Sequence, residues 1–374
     1  MKLLTLFLVL LLSMGMLNAV VKNENKPTKG EWNFDLREVW SVDSAGGNPL
    51  ARVRNIMADE NGNVFLVDRK FKKIIAFNSK GKEILCFGRH GEGPGEILRF
   101  GTFFLKGPHI IVDDRGNRLH YFTKKGEYKN TFRYDHSLIP KTFIKDHRFV
   151  AIRNNLEDVK RKENETLEIV DVKTRKREII TSMKPEEMAD GSHGSGKNQV
   201  RVSVFVAELT PSVVVGTDGK SLLFGMNDEY LIRKTDFSGK ELFSFSLAGR
   251  KPKPVSMETK KALFKSSGRL SPQMIKSIVD NLPGHCTYFS TIHVDDTGLI
   301  YVYVTDMSNE KGQELDIFSS TGKYLYHSVI TFPDGHQGIT SPVIAGDYLY
   351  VYTEDDEEEP KLIKYKIKKP ARLF

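Results

Sequence analysis

The sequence predicts an all-β chain, a six-bladed β-propeller, and three observations carry that prediction. One theme recurs along the chain: an apolar strand, a Gly turn, a second apolar strand. Its clearest copy is Ile56-Met57-Ala58-Asp59-Glu60-Asn61-Gly62-Asn63-Val64-Phe65-Leu66-Val67-Asp68, and it returns as Ile292-His293-Val294-Asp295-Asp296-Thr297-Gly298-Leu299-Ile300-Tyr301-Val302. Each copy is followed by a further strand and turn, Phe77-Asn78-Ser79-Lys80-Gly81-Lys82 and Phe318-Ser319-Ser320-Thr321-Gly322-Lys323. Units of this kind spaced by roughly 40–50 residues are four-stranded propeller blades. Finally, the segment Glu31–Val42 alternates and carries both tryptophans, Trp32 and Trp40, while the last blade is one strand short. That segment is expected to supply the missing strand and close the ring, leaving no long unpaired edge.

The elements follow in order. The chain of 374 residues opens with Met1-Lys2, then the apolar run Leu3–Leu12, then small and polar residues up to Leu17-Asn18-Ala19. A charged start, a short apolar core and a small residue at the cleavage point read as a signal peptide over residues 1–19. The run is too short to favour a membrane span, and no Cys near the cleavage point supports a lipid anchor. The expectation is an exported chain, periplasmic or extracellular, with no membrane span after cleavage. Residues 20–30 read as a polar linker, and residues 31–374 as one propeller domain.

Strand periodicity and turn residues place the blades. Blade one takes Arg54–Ala58, Val64–Asp68, Ile74–Asn78 and Glu83–Phe87. Blade two takes Gly101–Leu105, Ile110–Asp113, Arg118–Phe122 and Tyr128–Arg133, with a turn at Lys106-Gly107-Pro108. Blade three takes Lys141–Lys145, Arg148–Arg153, Thr166–Asp171 and Lys176–Thr181. Blade four takes Ser212–Gly216, Ser221–Gly225, Tyr230–Thr235 and Glu241–Leu247. Blade five takes Ser290–Val294, Ile300–Val304, Glu314–Phe318 and Tyr324–Thr331. Blade six takes Ser341–Ala345, Tyr348–Thr353 and Lys361–Ile367. With the strands of a blade lettered a to d outward from the axis, the b-to-c loops and the connections to the next blade share one face. The a-to-b and c-to-d turns share the other.

Two insertions interrupt the spacing. Lys184–Glu208 contains the Gly/Ser string Gly191-Ser192-His193-Gly194-Ser195-Gly196, a loop signal. Met257–Leu282 reads as helical before blade five. Ser271-Pro272 suits an N-cap and first turn, and Met274, Ile275, Ile278, Val279 and Leu282 share a face expected to pack on the propeller.

Composition excludes several classes. Two cysteines, Cys86 and Cys286, do not make a disulfide scaffold and read as buried free thiols. The net charge is +8, from 56 Lys and Arg against 48 Asp and Glu. The basic residues are scattered through turns and the run Glu354-Asp355-Asp356-Glu357-Glu358-Glu359 opposes a single basic field, so nucleic acid is not an expected partner. That run lacks the alternating ligands and glycine of a calcium loop.

The most distinctive string is Phe87-Gly88-Arg89-His90-Gly91-Glu92-Gly93-Pro94-Gly95-Glu96. It lacks the Lys-Ser/Thr ending of a phosphate loop, and no helix pattern follows it. Pro94-Gly95 fits the centre of a type II turn. Arg89, His90, Glu92 and Glu96 are the candidate ligand-binding residues, on the face where the loops are long. Of the ten histidines, five fall one per connection on that face: His90, His136, His193, His285 and His336. Converging over the axis they could hold a metal, although ligand spacing in the sequence does not support one. No other cofactor is implied. No Gly-x-Ser-x-Gly elbow is present. Asp113-Asp114 and Asp295-Asp296 read as turn residues on the opposite face, bonding their own backbone.

The Gly-rich string, the aspartate–glycine strand repeats and the helical insertion together resemble exported bacterial six-bladed propeller proteins related to NHL and TolB-type propellers. The resemblance spans residues 31–370, although blades two, three and six lack the full aspartate–glycine turn. It implies fold and export, and it transfers no catalytic residue. The expectation is therefore a monomeric binding scaffold, not an enzyme, meeting a protein, peptide or glycan through its long-loop face. The alternative is a metal-dependent hydrolase or lyase with its site over the axis, by analogy with propeller lyases and lactonases.

Overall fold

The computed structural model describes residues 20–114, 117–153, 165–183, 189–193, 200–265, 270–308, 312–333, 337–338, 341–354 and 359–370. The expected signal peptide, His336 and most of the acidic run after Glu354 lie outside them.

Six antiparallel sheets form the ring. Blade one is Val53–Ala58, Val64–Asp68, Lys73–Phe77 and Glu83–Phe87; blade two is Phe100–Lys106, His109–Asp114, Arg118–Thr123 and Tyr128–Arg133. Blade three is Leu138–Lys145, Arg148–Arg153, Glu165–Asp171 and Arg177–Met183; blade four is Val213–Thr217, Leu222–Met226, Leu231–Thr235 and Glu241–Ala248. Blade five is Phe289–Val294, Ile300–Val304, Gln313–Phe318 and Tyr324–Ile330. Blade six holds Val343–Ala345, Tyr348–Glu354 and Pro360–Lys366, and its fourth strand is Arg37–Val42, antiparallel to Pro360–Lys366. The chain thus closes its ring with the segment the sequence nominated.

Strand b explains why the blades stack. Every residue of Val64–Asp68 is buried, and so is every residue of Ile300–Val304. These strands read as unbroken apolar runs, not alternating ones, because both faces of a blade press on neighbours. The six seams between blades are filled accordingly. Phe65 and Val67 of blade one meet Ile110 and Val112 of blade two, and Leu223 of blade four meets Ile300 and Val302 of blade five. The outermost strands, such as Glu83–Phe87, are exposed or half-buried.

The N-terminal segment does more than close the ring. Residues 20–30, expected as a linker, begin instead with the strand Val20–Glu24, which lies parallel to Glu241–Ala248 as a fifth strand on blade four. The apolar pair Val20-Val21 and the alternation through Lys22-Asn23-Glu24 are short for a strand signal, which is why composition alone suggested a linker. Asn23 then pins two blades. Its amide donates to the carbonyls of Ser246 (3.1 Å) and Gly322 (2.9 Å), and its Oδ1 accepts from the Tyr324 N–H at 2.9 Å. The chain continues along the rim of blade five, where Lys29 N–H bonds Leu325 O and Trp32 N–H bonds His327 O, both at 2.8 Å. Trp32 stacks on Phe34 in the seam between blades five and six, and its indole N–H donates to Lys368 O at 2.8 Å. Trp40 seals blade six to blade one by donating to Ser79 O at 3.0 Å. Residues 20–42 are a strap over the rim of blades four, five and six.

The two insertions meet on the long-loop face. Ala189–His193 and Val200–Val204 form a hairpin where the sequence suggested only a loop. The helical insertion splits into α1 (Met257–Ala262) and α2 (Pro272–Asn281), and Ser271 caps α2 by accepting from the Met274 N–H. Ile278, Val279 and Leu282 are buried against Val206, Leu209 and Phe264, so the apolar face packs on its own protein. Both cysteines are free; Cys286 is buried and Cys86 half-buried.

Candidate functional site

The residue ending strand b anchors the connection that enters the same blade. In blade one Asp68 accepts from the Ala51 N–H at 2.7 Å. In blade two Asp114 accepts from the Leu98 and Arg99 N–H groups at 3.0 and 2.9 Å. Burial opposes ionisation of Asp114, yet bonds from His120, those two amides and Arg118 outweigh it and hold the carboxyl well below the usual carboxylate range. Blade three reverses the charge: Arg153 donates to Asp135 at 2.8 Å and to Glu168 at 2.8 Å, fixing the connection from blade two. The bond from Arg153 is the main cause that lowers the Asp135 carboxyl to about 2.

These anchors define the Gly-rich loop. Pro94 and Gly95 form the predicted turn, with Glu96 N–H bonded to Gly93 O at 3.0 Å and Gly95 at φ +74°. Glu96 accepts from the Gly93 N–H at 3.0 Å and pairs with Arg89 at 3.8 Å. His90 lies 3.3 Å from Ile97 O, and Arg118 donates to Glu92 O at 3.2 Å. The structure therefore brings Arg89, His90, Glu92 and Glu96 into one loop. The Gly93 and Glu96–Arg99 amides are already engaged, so those donors do not form a phosphate cradle. The histidines are distributed differently. His90 and His285 are exposed on separate connections, His136 enters the cleft described next, and His193 stands in the hairpin.

Among the described residues, the group with metal-ligand spacing is instead Glu314, Asp316 and His327 of blade five, whose candidate atoms lie within 4.8 Å of one another. The chain supplies its own cations there. Arg250 contacts both carboxylates, Lys253 reaches Glu314 at 2.5 Å, and the Tyr230 and Tyr324 hydroxyls donate to Asp316 at 2.9 and 2.8 Å. That neutralised network ties the root of the helical insertion to blade five.

The open site lies elsewhere, on the long-loop face beside the axis. A cleft of ≈ 710 Å³ runs across the inner ends of blades one to three. Irregular inner strands build it. In blade one the register shifts at Asn55, which sits at φ +53° and donates to Thr102 Oγ1 at 2.7 Å. In blade two Gly101 and Thr102 together face Asp113; a Cβ on Gly101 would stand 2.6 Å from an Asp113 carboxylate oxygen, so glycine lets that carboxylate cross the strand. Blade three shifts at Lys141. β-Bulges of this kind re-aim side chains and concentrate at sites. Arg69 bridges to Gly101 O at 2.7 Å, and the Tyr134 hydroxyl donates to Asp113 at 2.6 Å. Burial, then the neighbouring Asp113 charge, push the Tyr134 phenol far above its ordinary range. Asn117 at φ +60°, His136 and the apolar Leu138, Ile139 and Pro140 complete the lining.

Asp113-Asp114 thus corrects the sequence reading. The pair ends strand b on the long-loop face, not an a-to-b turn on the opposite one. The turn Lys106-Gly107-Pro108 already makes the a-to-b link, so the pair six residues on had to lie at the far end; that spacing was the available signal. Asp295 does behave as expected, accepting from the Thr297 and Leu299 N–H groups at 2.9 and 3.1 Å. Asn55, Asn117 and Tyr134 carried no sequence signal.

Fold and site define a six-bladed propeller with an off-axis cleft on its long-loop face. Residues 43–203 match the family described as 6-bladed beta-propeller (DUF5128). No curated protein matches the chain. Among solved structures, a DUF4221 member from Bacteroides vulgatus is similar at TM-score 0.56 and 14% identity, covering 90% of this chain and 99% of that one. A Bacteroides fragilis protein whose name proposes export is similar at TM-score 0.50 and 14% identity, covering 94% of this chain and 100% of that one. At such identity the likeness is one of fold. No helix among the described residues is long and apolar enough to cross a membrane.

Proposed function

We propose that this chain is an exported binding module that takes its ligand in the cleft over blades one to three. One observation carries the reading: three adjacent blades break their inner strands at the same level, and the breaks floor a cleft of ≈ 710 Å³. That volume falls in the range of about 300–1,000 Å³ usual for ligand sites. The lining combines an exposed apolar side chain, Ile139, with converging polar groups on Asn55, Asp113 and Asn117. The Gly-rich loop bearing Arg89, His90, Glu92 and Glu96 stands on the same face, self-bonded, and supports the entry into blade two. Export rests on the leader-like first 19 residues.

A cleft-filling variant tests this. Ile139→Trp should abolish binding of any oligosaccharide or peptide that the wild-type chain retains in a calorimetric screen. Val329→Trp, on the outer strand of blade five, should leave it intact. A ligand held equally by both variants would refute the assignment.

A further inference from the structure

We propose that the ligand is a neutral oligosaccharide; this rests on the cleft being the binding site. Three features of the lining favour sugar. Its formal charges cancel, Arg69 against Asp113, and the Arg69 guanidinium already donates to the Gly101 carbonyl. A strongly anionic or cationic ligand gains little there. The groups offered instead are two carboxamides, Asn55 and Asn117, from different blades. Both stand on left-handed backbone, at φ +53° and +60°, a conformation asparagine tolerates better than most residues. A carboxamide donates and accepts in one plane, as a pair of sugar hydroxyls requires, and Asp113 adds an acceptor at the floor. The third feature is Ile139 on one wall, 41% exposed between the buried Leu138 and Pro140, an apolar surface for the C–H face of a pyranose.

A peptide fits less well. Extended peptides bind by adding a strand to a straight edge. Here the inner edges of blades one, two and three are each interrupted by a bulge, at Asn55, at Gly101-Thr102 and at Lys141, and a bulge bends the edge and breaks its ladder.

The test uses the chain from residue 20 and defined probes: hexamers of β-glucan, xylan and mannan, an acidic oligogalacturonate, a heparin hexamer and a random hexapeptide pool, each titrated calorimetrically at low and high salt. At least one neutral hexamer should bind one-to-one with an affinity insensitive to salt. Asn55→Gly and Asn117→Gly remove one carboxamide each while suiting the left-handed backbone. Each should weaken that hexamer about 5-fold, the usual worth of one neutral hydrogen bond; Asn117→Gly should do so without lowering the melting temperature, whereas Asn55→Gly also gives up the bond to Thr102. Binding of the acidic probes or peptides alone, lost in Ile139→Trp, overturns the sugar assignment and keeps the cleft. Probe binding that survives Ile139→Trp overturns the cleft, and with it the sugar. No binding by any neutral hexamer overturns the sugar assignment.

Discussion

Blades one to three and blades four to six share one architecture but are held differently. The second trio carries the strap: Val20–Glu24 on blade four, residues 28–32 along blade five and Arg37–Val42 within blade six. It also carries the two helices of the second insertion and the charged network that roots them. The first trio has outer strands that pair with no further strand, such as Glu83–Phe87 and Tyr128–Arg133, and holds the cleft. Its blades are joined by apolar seams and by single bonds across the inner strands, such as Asn55 to Thr102. Long-range stitching and the open cleft thus occupy opposite halves of the ring.

The largest effect that could break this comparison is removal of the strap. A chain lacking residues 20–42 leaves Pro360–Lys366 an exposed edge and uncovers the seam that Trp32 and Phe34 fill. It should lose its cooperative urea transition by circular dichroism. A sharp, wild-type transition would show that the strap is dispensable. Next in size, Trp32→Ala empties a nearly buried indole and orphans the Lys368 carbonyl. It should cost about 3–5 kcal/mol in a urea melt, and a loss under ~1 kcal/mol would mean the rim does not share the load.

Near neutral pH, the strapped half should show a pH effect of its own. The hydrogen bond that the His327 ring donates to Asp316 is the main cause raising the His327 pKa above 6.5, with burial opposing it and the charges of Asp316, Glu314 and Glu31 adding to the rise. A raised folded pKa contributes stability that is fully present below the unfolded pKa and is lost as pH climbs through the folded one. The melting temperature should therefore decline as pH rises from 6.5, and His327→Gln should flatten that decline. An unchanged slope in the variant would refute it. The smallest effect belongs to Arg37, which pairs with Asp35 at 3.3 Å while 77% exposed. Arg37→Ala should change stability by no more than about 0.5 kcal/mol, even though it lies in the closing strand. A larger loss would show that side chains of that strand matter beyond its backbone pairing and tryptophans.

The fold was legible because its determinants are local. Apolar runs such as Val64–Val67 and Gly turns such as Asp59-Glu60-Asn61-Gly62 write each blade into a few consecutive residues, and the missing fourth strand of blade six pointed to Glu31–Val42. The strap's first strand was not legible, since Val20–Glu24 is specified by the edge of Glu241–Ala248 that it meets. Nor was the cleft. Asn55 becomes a site residue through a register shift, and Asp113 reaches the axis face because Gly101 opens the way. Neither condition is written near the residue it governs. The Gly-rich string stood out for the opposite reason: its turn is local, and its acidic and basic side chains largely satisfy the loop itself.

The bond from the Trp32 indole to Lys368 joins residues 336 positions apart. A chain synthesised from its N-terminus therefore presents the strap long before its docking strand. Until Pro360–Lys366 arrives, five blades can stack while the sixth has no outer wall. Contacts so distant in sequence slow folding and lengthen the time that unpaired edges stand in solution. Latching of the ring thus waits for Pro360–Lys366, and a holding factor acting before then would recognise the unlatched end of the ring, not the finished propeller.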